Sequence, residues 1–201
     1  MRDLCLEMPR CTPSVAWMAV GQEDPSRLEV EAFVNAAFAR KHGAQVRSFM
    51  PTLLASRDRA GTLGVVGLRA AQEQPLYLEH YLDAPIERVL AERVGGEVPR
   101  ARIVEVGHLA SRNCLGAARM AAALPCYLLA RNYEWIVFTG TRTVRGILDR
   151  LGAPLHELAS ATAECVSGTP DSWGRYYDTG PRVYAGFLPD TRRIPAFLGG
   201  T

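Results

Sequence analysis

The chain has 201 residues, 48% of them hydrophobic and 22% charged, a composition that supports a full buried core and excludes a disordered chain. Its 23 basic and 21 acidic residues leave a net charge of +2, which gives no electrostatic basis for binding nucleic acid or an anionic membrane. Five scattered cysteines without a C-x-x-C pair, and four dispersed histidines, argue against a disulfide scaffold and a metal site, and for reduced thiols in a cytoplasmic protein.

Met1 to Arg10 carries Asp3 and Glu7 and lacks the apolar core of an export signal. Pro13 to Val20 reads as a first strand, ended by Gly21. Asp24-Pro25 supplies an N-cap and a first-turn proline for a helix. Its Val30, Phe33, Val34, Ala37 and Phe38 recur on one face, and Gly43 closes it. Gln45 to Leu54 and Leu63 to Ala70 predict a hairpin around Asp58 to Gly61, and Leu76 to Leu82 a further extended segment. Asp83 is expected to cap a short helix with Pro85 in its first turn and Ile86, Val89, Leu90 and Val94 on one face. Gly95-Gly96 ends it.

The segment from Ala101 to Ala118 carries the most chemistry. Arg102 to Leu109 predicts a buried strand that runs into a small-residue turn and an Ala-rich helix. Glu105 lies inside that strand, where a carboxylate is costly unless it is paired or functional. Burial would raise its pKa and suit it to accept a proton from an attacking amine or hydroxyl; an ion pair with Arg69 or Arg102 accounts for it equally well. His108, three residues on, points to the opposite face by strand alternation unless a bulge intervenes. It reads as a base or carbonyl-polarising group, or as a hydrogen-bonded neighbour of the site. A strand feeding a helix N-terminus leaves backbone N–H groups to face an anion, which makes Leu109, Ala110, Ser111, Arg112, Asn113, Gly116, Ala117 and Ala118 cofactor-binding candidates. A closely packed helix start needs the same small residues.

Downstream, Leu115, Ala118, Ala122, Cys126 and Leu129 give a helical stripe, with a kink expected at Pro125. The longest uncharged apolar-rich run, Met120 to Ala130, is well short of the roughly 18 residues of a membrane span. Trp135 to Phe138 is a compact strand, followed by Thr139 and by Thr141 or Thr143 as helix cap. The next helix carries Val144, Ile147, Leu148 and Leu151, then stops at Gly152 and Pro154. Leu155 to Ala159 is a strand, 167–181 a loop bearing Trp173, Tyr176 and Tyr177, Arg182 to Leu188 a last strand, and Ile194 to Thr201 a tail. The mixture of strands and helices points to one sheet.

Asn113-x-x-Gly116-x-Ala118 approximates the Gln/Arg-x-x-Gly-x-Gly/Ala signature with which GCN5-related N-acyltransferases (GNATs) cradle the pyrophosphate of acyl-CoA. Ser48-Phe-Met-Pro-Thr-Leu-Leu54, Gly67-Leu-Arg69, Tyr77-Leu-Glu-His-Tyr-Leu-Asp83, Val104-Glu-Val-Gly-His-Leu-Ala110, Phe138-Thr-Gly-Thr141, Arg150-Leu-Gly152 and Trp173-Gly-Arg-Tyr-Tyr-Asp178 follow in order. Over residues 28 to 188 this set resembles the bacterial thermostable hemolysin family, which is similar in fold to GNATs and to acyl-homoserine-lactone synthases. The resemblance implies an α/β (α+β), GNAT-like single domain over 1–201, with its core at about 13–188 and a tail at 189–201. It further implies a central mixed, mostly antiparallel twisted sheet with helices on both faces.

The activity so implied is an acyltransferase that takes an acyl group from acyl-CoA or an acyl carrier protein to a small-molecule acceptor, without metal, in secondary metabolism or signal synthesis. Glu105, His108 and Tyr177 are the catalytic candidates it suggests, with Tyr177 as a phenol for the leaving thiolate. Thr139 would lie along the thioester arm, and Arg69, Thr141, Trp173 and Tyr176 would bind substrate. The synthases' Glu-x-x-Arg motif has His108 in its fourth place here, and Gln45 to Pro51 replaces their Asp-rich segment. Both departures argue against S-adenosylmethionine, which remains the second option for a co-substrate. A monomer or homodimer without membrane insertion is expected. A membrane-active hemolysin and a non-catalytic ligand-binding protein are the alternative readings.

Overall fold

A computed structural model describes residues 16–59, 61–150, 152–166 and 173–193. The expected tail from Ile194 and part of the 167–181 loop lie outside the described residues. Seven strands form one sheet in the order β1-β2-β3-β4-β5-β7-β6. They are β1 Trp17–Val20, β2 Thr52–Asp58, β3 Gly61–Ala70, β4 Ile103–Ser111, β5 Trp135–Gly140, β6 His156–Ser160 and β7 Arg182–Phe187. All neighbours are antiparallel except β4 and β5, which run parallel. The mixed, mostly antiparallel sheet is therefore the one anticipated.

Helix α1, Arg27–His42, covers one face, where Val30 and Val34 bury against Leu53, Ala55, Val65 and Ala110. Gly43 ends it in the left-handed region (φ 66°), which glycine adopts without strain. Helix α3, Cys114–Leu129, covers the other face, packing Met120, Leu124 and Leu128 on Leu54, Val66, Leu68 and Val104. The adjacent Leu53 and Leu54 thus serve opposite layers. Each is fully buried and contributes about 2 kcal/mol by the area it removes from water. Helix α2, Ile86–Val94, extends the first layer with Ile86 and Leu90, whereas Val94 is exposed. Helix α4, Arg142–Arg150, lies on the surface with none of its described residues fully buried. Its expected stripe is only half-buried, and Leu151 falls outside the described residues.

Five local expectations differ from the structure. Leu76 to Leu82 is not extended: Tyr77–Tyr81 is a 3₁₀ turn. Glu79 organises it by accepting the Leu76 N–H (2.8 Å) and the Ile86 N–H (2.9 Å), so Glu79 rather than Asp83 takes the first donor of α2. The Arg100 guanidinium clamps both Glu79 oxygens at 2.7 and 2.9 Å. The buried stripe of α3 is Gly116, Met120, Leu124 and Leu128, while Leu115 is 52% exposed. Residues 45–51 approach β2 as irregular chain, and the strand starts only at Thr52. Cys126 is disulfide-bonded, whereas Cys114 and Cys165 are free thiols, because spacing along the chain does not reveal which cysteine is near another in space.

Candidate active site at the parting of β4 and β5

Strands β4 and β5 pair from Ile103/Trp135 to Val106/Phe138 and no further, although β4 continues to Ser111 and β5 to Gly140. Beyond that point the register holds Gly107–Ser111 to β3 and Thr139–Gly140 to β7. Between these two ends the sheet offers unpaired strand edges, the form a linear ligand can add to by backbone hydrogen bonding.

The bend in β4 comes from a bulge. Gly67 pairs with Gly107 and Val65 with Ala110, so His108 and Leu109 together face the single residue Val66. His108 takes a left-handed backbone (φ 51°), a strained state for a non-glycine residue that clusters at functional sites. The extra residue turns its ring onto the α1 face, against Phe38 (centroids 6.3 Å apart) and Phe49 (5.5 Å), the same face as Glu105. Alternation alone would have placed the two on opposite faces. Gly67 makes room for the ring, since a methyl there would stand 2.9 Å from His108 Nδ1. Burial, with the charges of Arg69 and Arg27, pushes the imidazole pKa down to about 4 against an opposing hydrogen bond to the Ser48 backbone. Its Nδ1 is buried without a hydrogen-bond partner.

Glu105 is only 3% exposed. Its Oε2 accepts the Tyr77 N–H (2.9 Å) and its Oε1 the Leu78 N–H (3.0 Å), so it anchors the 3₁₀ turn to the sheet. Arg69, its register partner across β3 and β4, brings Nη1 to 3.7 Å from Oε2, an ion pair without a hydrogen bond. Burial raises the carboxyl pKa; the Tyr77 N–H, Arg69 and the Leu78 N–H oppose that rise. Of the two partners the sequence suggested, Arg69 is the one found; Arg102 pairs instead with Glu134.

Three more unpartnered polar atoms are Arg69 Nε, Thr139 Oγ1 and Thr141 Oγ1. Thr141 precedes α4, but its hydroxyl does not cap the helix. Over this face lies an aromatic cluster. Trp173 meets Tyr77, Tyr176 and Tyr177, and the Tyr81 and Tyr177 hydroxyls hydrogen-bond at 2.8 Å. Tyr176 donates its hydroxyl to the Thr139 carbonyl at 3.4 Å and stacks edge-on against His42 of α1. The Arg175 N–H is bonded to the His42 carbonyl, which closes this segment onto the end of α1. Burial pushes the Tyr77 phenol up to about 12 and raises Tyr81 and Tyr176 as well, so all three remain hydrogen-bond donors at neutral pH. The sequence did not mark Tyr77, Tyr81 or Phe49 as site residues; only the folded 3₁₀ turn and the 45–51 segment bring them here.

The cofactor candidates gather at the start of α3. Ser111 Oγ donates to the Asn113 carbonyl, and Asn113 Oδ1 accepts the Gly116 N–H at 2.7 Å, making Asn113 the N-cap. A methyl at Gly116 would stand 2.8 Å from Ser111 Oγ, so the glycine is needed for this interlock. Arg112 binds the hairpin through the Gly61 carbonyl (3.2 Å), beside the Leu63 carbonyl that takes its N–H. Leu109 packs on the α3 layer, Ala110 on the α1 layer, and Ala117 and Ala118 lie half-buried in the first turns. Asn113→Ala should cost about 1 kcal/mol through loss of the cap, read as a lower urea midpoint with an unchanged slope. Among the described residues no cluster of three or more His, Cys, Asp or Glu could hold a metal ion.

No curated protein sequence matches the chain. Solved structures do match its fold. TofI, solved in a ternary complex with an inhibitor and MTA, superposes with a TM-score of 0.58 at 15% identity, covering 92% of this chain and 98% of that one. MesI, a CoA-dependent acyl-homoserine lactone synthase, gives 0.54 at 16% identity over 92% and 97%. FeeM, an N-acyl amino acid synthase from uncultured soil microbes, gives 0.59 at 12% identity over 92% and 97%. At such identities the likeness shows the fold, a GNAT-like α+β sheet. The model of the family described as thermostable hemolysin matches residues 20–191, and with that span of sequence the chain belongs to the thermostable hemolysin family.

Proposed function

We propose that the protein is an acyltransferase that moves an acyl group from an acyl thioester to an amine or hydroxyl of a small-molecule acceptor by direct attack. The observation that carries this reading is the parting of β4 and β5 beside an inward-turned His108 whose Nδ1 has no partner. A pantetheine arm can add to the unpaired strand edges, which would place the thioester carbonyl near His108 and Thr139. The acceptor nitrogen or oxygen then bonds to the carbonyl carbon, the C–S bond breaks, and the proton lost by the acceptor passes through His108 Nδ1 to the leaving thiolate. Catalysis of this kind is mostly positioning plus one proton transfer.

In this scheme Glu105 holds Arg69 and the 3₁₀ turn in place, since both its oxygens are already engaged. Tyr177 and Tyr176, with Trp173, exclude water and present phenols to the thiolate. Ser111 to Ala118 with Arg112 receives the phosphates, although Asn113 already occupies one of its N–H groups. That occupancy favours an acyl carrier protein, which brings a single phosphate, over the pyrophosphate of acyl-CoA. The acyl-homoserine lactone and N-acyl amino acid synthases among the structural neighbours support the same chemistry, and with it a role in signal synthesis or secondary metabolism.

Native mass spectrometry with CoA, acyl-CoAs and acyl carrier protein, coupled to a free-thiol assay over an acceptor panel, tests the reading. A saturable complex and acceptor-dependent thiol release are expected. A folded protein that releases no thiol from either donor class overturns it. Lysis of erythrocytes by the pure protein without substrate would favour the membrane-active alternative.

A further inference from the structure

We infer that Met50 is a displaceable plug: its thioether closes the site over His108 Nδ1 and must swing aside before an acceptor reaches that nitrogen. This rests on the acyl-transfer reading and adds to it the residue an acceptor has to displace.

Residues 45–51 cross the site as a strap without regular structure, and three consecutive ones enclose the imidazole. The Ser48 backbone engages the ring, Phe49 packs on it with centroids 5.5 Å apart, and Met50 lies beside Nδ1. The floor under Met50 is a pair of glycines, Gly67 and Gly107, which face each other across β3 and β4. A methyl on Gly67 would stand 3.0 Å from Met50 Sδ and 2.9 Å from His108 Nδ1, and one on Gly107 would stand 2.6 Å from Met50 Cε. The glycines thus leave a depression in the sheet, and the thioether fills it so well that Met50 is only 5% exposed.

A core methionine ordinarily seals apolar neighbours. Here it covers a neutral imidazole whose Nδ1 is buried and unpartnered. Arg69 Nε, two residues along β3 from Gly67, is unpartnered too. Buried polar groups left without a hydrogen bond cost about 1–3 kcal/mol each. A thioether accepts weakly and donates nothing, so it cannot offer Nδ1 the N–H or O–H that a lone pair requires. The closed arrangement suits the sulfur and not the nitrogen, which is the energy balance of a plug that a polar group can replace.

The freedom to move lies in the side chain. The strap is tied at both ends: Asn35 Oδ1 accepts the Val46 N–H at 2.8 Å, and the buried Arg27 donates to the Met50 carbonyl at 2.8 Å and to the Pro51 carbonyl at 3.1 Å. Glu31 holds Arg27 in turn at 2.6 Å. With the backbone fixed, uncovering Nδ1 falls to the side-chain torsions of methionine, an unbranched chain that repacks readily.

Diethyl pyrocarbonate, which carbethoxylates the lone pair of a neutral histidine nitrogen, reads the plug without any substrate. At pH 7 His108 is neutral, so slow modification reports covering rather than protonation. Modification of the His108 peptide is followed by mass spectrometry in the full-length wild type, Met50→Ala, Met50→Ile and Met120→Ala. Met120 is the matched control, a fully buried methionine of the α3 layer. Alanine removes the plug, while isoleucine fills much of its volume on a stiff χ1. For an open form populated at roughly 10%, Met50→Ala should react on the order of 10-fold faster than the wild type, Met50→Ile more slowly, and Met120→Ala at the wild-type rate. In the thiol-release assay, KM for the acceptor should fall in Met50→Ala and rise in Met50→Ile. Equal His108 reactivity in the wild type and Met50→Ala overturns the plug, as does an equal acceleration in Met120→Ala, which would mean general loosening. Should Met50→Ala not fold, a Met50→Ile protein that reacts as fast as the wild type overturns it alone. Thiol release with one KM across the Met50 variants overturns the plug and leaves acyl transfer standing. His108 reactivity that follows the plug while no donor releases thiol upholds the plug and overturns acyl transfer.

Discussion

Replacing His108 by glutamine is expected to slow acyl transfer on the order of 1,000-fold, within the range for losing a positioned general base. The same change should make the protein more resistant to acid. In the fold the imidazole stays neutral down to about pH 4, whereas an ordinary imidazole titrates near 6.5. Between those values the unfolded chain binds a proton that the native chain does not, so stability falls as the pH drops through this window. Above pH 6.5 the effect is absent; at pH 5 it amounts to about 2 kcal/mol. Urea unfolding of both proteins at pH 7.5 and pH 5 isolates the contribution of His108, even though the His42 pKa is lowered too, because His42 is common to both. The wild-type protein should lose about 2 kcal/mol more than the variant on going from pH 7.5 to pH 5. For the wild type, kcat/KM should decline toward pH 4 rather than near 6.5. A midpoint near 6.5 would mean that the ring is solvated, and the proton-relay role would fall.

That double effect depends on a backbone feature that residue spacing could not reveal. Glu105 and His108 are three apart in a strand, an arrangement that alternation assigns to opposite faces. They share a face because β3 and β4 slip by one residue opposite Val66, and that slip belongs to the pairing of two strands rather than to either one alone. The helix α1 was legible for the opposite reason: Val30, Phe33, Val34, Ala37 and Phe38 all fall on one local 3.6-residue stripe, and all meet the same core. The hairpin turn at Asp58 to Gly61 and the strand β3 after it were equally local, whereas the strand before the turn starts at Thr52 rather than Gln45. Helix α3 misled because alanine gives no contrast between faces. An Ala-rich helix reads almost as well with Leu115 inward as with Met120 inward, and the sheet settles the matter by accepting Gly116 against Ser111. Residues Leu76 to Leu82 misled because the groups that wind them into a turn come from afar, Glu105 through its carboxylate and Arg100 through Glu79.

Glu105→Gln is expected to destabilise the protein by about 3 kcal/mol, a fall of roughly 6–12 °C in melting temperature for a chain of this size. The carboxylate supplies two acceptors to two adjacent backbone donors, Tyr77 N–H and Leu78 N–H. An amide can meet one of them and must turn its own NH₂ toward the other. Arg69 would at the same time lose the counter-charge that Glu105 provides in a largely buried setting. Removing the negative charge recovers some desolvation energy, since burial raises the carboxyl pKa, but it cannot restore the missing acceptor. Turnover measured well below the melting range then separates anchor from base. As an anchor, Glu105 affects the rate through Arg69 and the 3₁₀ turn, so KM for the acceptor should rise more than kcat falls, with the pH profile unchanged. A variant with wild-type melting and a kcat lowered on the order of 1,000-fold would instead make Glu105 the base and His108 its neighbour. The two carriers of the proton are thereby distinguishable with one substitution and two measurements, because a residue that holds the site together fails in stability where a residue that moves the proton fails in rate.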